Sequence, residues 1–228
     1  MVPELVDKYI FLVQTFVEAG DAGLSFPELQ DRWEERYDAP YPRRSFLNHR
    51  AAVEEMILRD KHHPSVIAWS IFNEAETTTP ASHDYFAPLF DAARQIDPER
   101  RPVTGVLEKT SSPDRCLCWP LMDFVCLNRY YGWYISGGDL QEAETQFVQE
   151  MDQWAAKAPG VPFVFTEFGT DTLDTLHKLP SVMWSQEYQQ EYMDMNFGVF
   201  DRYPFVQGEL AWNFADFQTG LCSAGCGR

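Results

Sequence analysis

The chain is short of positive charge, of cysteine and of long apolar runs, and each shortage closes off a class of function. Eighteen Lys and Arg stand against 35 Asp and Glu, a net charge of −17 over 228 residues. That balance argues against general binding to nucleic acid or to an anionic membrane, which are both negatively charged partners. No apolar run reaches the ~20 residues of a membrane-crossing helix, and Met1-Val2-Pro3-Glu4 lacks the basic start of a secretory signal. The cysteines, Cys116, Cys118, Cys126, Cys222 and Cys226, are odd in number and follow no framework spacing, which points to a reducing cytoplasm. Cys222 and Cys226 could suggest half a metal site. No His or Cys group matches them, so free thiols are expected, and no metal or cofactor.

What is present is ordinary globular composition, 45% apolar and 23% charged, with a high aromatic share of 15%. Rings in that number suit a sugar-binding cleft or a large core. Residues 66–72 form an almost wholly apolar run that ends in Asn73 and Glu74, with Lys61, His62, His63, Pro64 and Ser65 before it. The pattern predicts a strand buried on both faces. A second run, residues 161–166, leads into Glu167, Phe168 and Gly169. Strands are also expected at residues 102–106, 124–128 and 206–212.

Helices fall between the strands. One carries Phe86, Leu89, Phe90, Ala93 and Ile96 and stops at Asp97-Pro98. Another begins at Asp139, with Glu142 three residues on as in a capping box, and buries Ala143, Phe147, Met151 and Trp154. A third runs from about residue 187 to 199. Alternation of strand and helix implies a parallel sheet. Five units are fewer than the eight of a closed barrel.

Two buried strands that each end in a carboxylate meet the needs of glycoside hydrolysis. One carboxyl protonates the leaving oxygen and the other attacks the anomeric carbon, about 5–5.5 Å apart in retaining enzymes. One must hold a proton while the other is ionised, so their surroundings must differ. Either acid alone could be a surface or helix-end carboxylate. Tyr130, Tyr131 and Tyr134 could pack beneath the rim, and Trp212 could be core. The adjacent His62 and His63 suit a turn better than a metal.

Residues 1–55 differ in character. Leu5, Tyr9, Leu12, Val13, Phe16 and Val17 have helical spacing, as do Phe26, Leu29, Trp33 and Tyr37. Pro40 and Pro42 mark a break, and Arg43-Arg44-Ser45-Phe46-Leu47-Asn48-His49-Arg50 opens a third helix. Three short helices, the last opening with basic groups, suit a helix-turn-helix. With Asp7-Lys8-Tyr9-Ile10 and Phe26-Pro27-Glu28-Leu29, the segment resembles the winged-helix start of Bacteroidetes regulators that carry a WYL domain.

The remainder resembles the β-glucuronidases of glycoside hydrolase family two. The likeness rests on residues 59–74, on Asn128-Arg129-Tyr130-Tyr131-Gly132-Trp133-Tyr134, on Thr166-Glu167-Phe168-Gly169 and on Trp212-Asn213-Phe214-Ala215-Asp216-Phe217. It implies an α/β fold, strands four to eight of a (β/α)8 TIM barrel, over residues 56–228. It implies Glu74 as acid/base, Glu167 as nucleophile and Asn73 on the sugar 2-hydroxyl. Tyr130 would stand beside the nucleophile, Tyr134 near the sugar carboxylate, and Trp212 as an aromatic wall. The family's Asn-x-Lys motif is not found in residues 218–228. The expectation is therefore a truncated or chimeric chain with an open half barrel that acts weakly on β-glucuronides or self-associates through the open face. The alternatives are a β-galactosidase-like enzyme and, in another class, a DNA-binding regulator using Arg43, Arg44, His49 and Arg50.

Overall fold

The structure is a computed structural model that describes residues 41–213 and 215, with side chains from residue 45 onward. The helices expected over residues 5–19 and 26–37 lie outside the described residues, as do Cys222, Cys226 and the side chains of Arg43 and Arg44. The chain divides into two units, Met1–Ala52 and Val53–Arg228. Helix α1 spans Tyr41–Asp60. The break expected at Pro40 and Pro42 ends by Tyr41, so that Pro42 falls in the first helical turn. Proline is tolerated there because the first N–H groups of a helix have no intrahelical acceptor.

The second unit alternates strand and helix: β1 Trp69–Asn73, α2 Pro80–Ile96, β2 Val103–Leu107, β3 Val125–Asn128, α3 Leu140–Lys157, β4 Phe163–Glu167, α4 Gln186–Phe200 and β5 Val206–Glu209. The five strands form one sheet in sequence order, and every neighbouring pair is parallel. This is the expected part of a TIM barrel, and all carboxyl ends meet at one rim. Local chemistry sets each helix start. Thr79 Oγ1 accepts from the Ser82 N–H at 3.1 Å, with Pro80 following in the first turn. Asp139 Oδ1 accepts from the Glu142 N–H at 3.0 Å, and Ser185 Oγ from the Tyr188 N–H at 3.2 Å.

Much of the aromatic content is core. Phe163 and Phe165 of β4 meet α3 and α4 through Trp154, Phe147 and Phe200, at ring separations of 5.5, 5.5 and 4.3 Å. All five side chains are buried. Gly105 in β2 is needed for closeness: a Cβ there would stand 2.4 Å from the Phe72 ring. Phe72 in turn packs 4.4 Å from Phe86 of α2.

The first strand is shorter and less enclosed than its apolar run suggests. It begins only at Trp69; Ile67 is 80% exposed and Ser70 is also exposed. Among the described residues β1 ends the sheet on one side, so no further strand covers it. Likewise β5 stops at Glu209, not at Trp212, and alternates half-buried with exposed residues.

Candidate active site

Both acid-bearing strands change register just before the acid. From Ser70↔Thr104 to Asn73↔Val106, β1 advances three residues while β2 advances two. From Leu127↔Phe165 to Asn128↔Glu167, β4 advances two while β3 advances one. An extra residue of this kind re-aims the chain beyond it. In β1 it delivers Asn73 and Glu74 to the rim. In β4 it sets Glu167 opposite Asn128.

Glu74 itself lies in the left-handed region, at φ +53°. A non-glycine residue pays strain to stand there and persists only where its surroundings hold it. Here its N–H is fixed on the Val106 carbonyl at 2.9 Å. Asn128 Nδ2 donates to Glu74 Oε1 at 2.9 Å and to Asn73 Oδ1 at 3.3 Å. The other end of the same amide, Oδ1, accepts from Thr166 Oγ1 at 2.7 Å.

On the opposite side the Tyr130 hydroxyl donates to Glu167 Oε2 at 2.8 Å. Burial, and then the Glu167 carboxylate it faces, pushes that hydroxyl far above the usual phenol range. Tyr130 therefore remains a donor to Glu167 throughout the working pH range. The Arg129 N–H donates to the Glu167 carbonyl at 2.9 Å, so the chain beyond β3 stays laced to the acid of β4.

Of the six residues singled out from the sequence, Asn73 and Glu74 share the Asn128 amide, which Thr166 braces, and Tyr130 and Glu167, the latter in register with Asn128, form a second hydrogen-bonded pair. Tyr134 stands at its margin, its ring 5.0 Å from that of Tyr130 and 75% exposed. Trp212 reaches the site through its backbone: its N–H donates to the Phe168 carbonyl at 2.9 Å, and its side chain is half exposed. Gly169 permits that approach, since a Cβ there would lie 2.3 Å from the Trp212 carbonyl oxygen. Tyr131, which could equally have faced the sugar, is buried behind the rim. His63 lies in a turn, donating its N–H to the Asp60 carbonyl at 2.8 Å. Among the described residues no three His, Cys, Asp or Glu side chains cluster as a metal would need.

Sequence reasoning overlooked Asn128 and Thr166. Asn128 lay in plain view at the end of an apolar run, the same signal that picked out Glu74. Its role depends on the register between strands.

A parallel β/α sheet that brings two glutamates to its carboxyl rim, each held by a neutral donor, is the layout of a barrel glycosidase. The chain belongs to the family described as glycosyl hydrolases family 2, TIM barrel domain, whose pattern matches residues 2–223. That match runs through the first fifty residues as well as the sheet. The chain is similar to the β-glucuronidase of Streptococcus agalactiae, 44% identical over 173 residues, or 76% of this chain and 29% of that protein. It is 31% identical over 220 residues to human β-glucuronidase, covering 96% of this chain and 31% of the human protein. A solved structure of the Ruminococcus gnavus β-glucuronidase with uronic isofagomine is 65% identical, with a TM-score of 0.75 over 77% of this chain and 30% of that one. The chain thus spans about three-tenths of the length of these relatives.

Proposed function

We propose that this chain carries the catalytic pair of a retaining β-D-glucuronidase, with Glu74 as acid/base and Glu167 as nucleophile. The observation that carries the reading is the Asn128 amide. It holds Glu74, while the residue that carries it pairs in register with Glu167 and the next tyrosine along, Tyr130, holds the Glu167 carboxylate, so one short segment carries the donors to both acids. The names of the relatives support a glucuronide as the substrate. So does the Ruminococcus gnavus enzyme, solved in complex with D-glucuronic acid.

In this mechanism Glu74 gives its proton to the departing glycosidic oxygen while Glu167 Oε1 or Oε2 bonds the anomeric carbon. The Tyr130 hydroxyl holds one oxygen of Glu167, which leaves the other free to attack. Glu74, now ionised, takes a proton from water as that water displaces Glu167, and the configuration is retained. Asn73 receives the 2-hydroxyl, a contact that strengthens in the transition state. Tyr134 approaches the sugar carboxylate and Trp212 walls the site.

Hydrolysis of p-nitrophenyl β-D-glucuronide by the purified chain tests this, with the matching galactoside alongside. Turnover with retained anomeric configuration is expected, with the glucuronide preferred. Glu167→Ala should lower it by roughly 10³-fold or more, the scale on which losing a covalent nucleophile is felt. Undiminished turnover in that variant, preference for the galactoside, or a folded chain without turnover would each count against the proposal.

A further inference from the structure

Behind the rim lies a buried charge cluster that takes no part in the chemistry just described. The Glu150 carboxylate, on α3 and 4% exposed as a residue, accepts from four side chains. Arg129 donates through Nε and Nη2 at 3.0 and 2.8 Å, and the Tyr131 hydroxyl at 2.6 Å. Trp154 Nε1 donates at 3.2 Å and Lys109 Nζ at 3.1 Å. Arg129, wholly buried, places Nη1 on the carbonyls of Leu107 and Asn128, each at 2.8 Å.

Stability alone is a poor account of such a cluster. Removing two charges from water costs several kcal/mol per ion, and well-packed apolar residues often do as well. Direction is a better account. β3 ends at Asn128, and from there the side chains of residues 128–131 alternate in what they bond, as side chains do along extended chain. Asn128 and Tyr130 point to the rim and hold Glu74 and Glu167. Arg129 and Tyr131 point away from it, and both end on Glu150. The carboxylate therefore grips one parity of the segment, and the other parity grips the catalytic pair.

We propose that Glu150 is a positioning residue for the active site, fixing through Arg129 and Tyr131 the facing of Asn128 and Tyr130. Its effect on catalysis rests on the glucuronidase reading; its effect on Tyr130 does not. Displacement of either rim residue by ~1 Å is enough to lower kcat on the order of 10²-fold. Losses of that kind fall on kcat, with KM changed little, because the side chains of Asn128 and Tyr130 bear on the two carboxylates.

The test is Glu150→Gln, with Glu150→Asp as the conservative variant, in the full chain labelled at tyrosine Cζ. The Cζ resonance of Tyr130, assigned by Tyr130→Phe, reports its hydrogen bond to Glu167 whether or not the chain turns over. Glu150→Gln should shift that resonance and lower kcat about 10²-fold at nearly constant KM. Glu150→Asp should restore part of both. Should Glu150→Gln fail to fold, Tyr131→Phe removes a single donor and should move the Tyr130 signal in the same direction by less. An unmoved Tyr130 resonance in the variants, with only the urea midpoint falling, would make the cluster a structural pair and overturn the proposal. A moved resonance without any turnover in the parent chain would instead sustain it while removing the glucuronidase reading.

Discussion

Glu74 and Glu167 are set by close neighbours, and buried Gly169 is the one with least room for change. It follows Glu167 by two residues, and its missing side chain lets the Trp212 carbonyl come close while the Trp212 N–H bonds Phe168. A methyl at this point meets backbone, which cannot rotate out of the way. Gly169→Ala should therefore lose roughly 1–3 kcal/mol, the usual penalty for overpacking. Hydrolysis should fall as well, because the strain is taken up beside Glu167. Urea unfolding and the glucuronide assay check this together; wild-type values in both would mean the chain beyond β5 yields freely at Trp212. The two acids were legible in the sequence because each ends an apolar run. Asn128 and Thr166 were not recognised as their partners, since an amide or hydroxyl acquires meaning only from what the next strand places against it.

At the scale of elements, strands and helices were legible and their meeting was not. The Asp139 cap and the buried residues Ala143, Phe147, Met151 and Trp154 of α3 follow from helical spacing and a short acceptor side chain. In α4 the buried positions Tyr188, Tyr192 and Asn196 recur every four residues, and the last of them is an amide that apolar periodicity does not mark. The register shifts in β1 and β4 have no signature in either strand, because a shift is a relation between two. The same holds for Glu150, an acid in mid-helix whose burial is explained by donors from outside its helix, Arg129, Tyr131 and Lys109. A cap should affect stability without reaching the site. Asp139→Ala should cost about 1 kcal/mol in urea unfolding and leave the Tyr130 Cζ resonance in place. A shifted resonance would mean that the start of α3, and not Glu150, sets the facing of the loop.

For the described unit as a whole, the opposite end of the sheet is where acid should act first. Asp97 is buried where α2 ends, and Trp69 Nε1 donates to it at 2.9 Å from the start of β1. The Arg101 N–H donates at 3.0 Å and its guanidinium at 2.9 Å. That guanidinium also reaches the carbonyls of Lys61 and Val66, so one carboxylate ties α1's exit to β1, α2 and β2. Burial pushes the Asp97 pKa up, but the donors from Trp69, Arg101 and Glu99 outweigh it and bring it to about 2. A carboxyl whose pKa is lower folded than unfolded binds more protons when unfolded. Its contribution is complete above its ordinary value of 3.8 and is lost as pH falls toward about 2. Glu150, held low by Arg129 against the cost of burial, adds to the same loss. The urea midpoint should therefore stay level from about pH 7 to about pH 5 and then drop steeply. Asp97→Asn should lower the plateau and flatten the drop, because the amide keeps the shape but has no proton to gain. A variant that is weaker at neutral pH yet falls as steeply as the parent would place the acid sensitivity elsewhere. Glu150→Gln would then be expected to flatten the curve instead, with the weak point behind the active site and not beneath it.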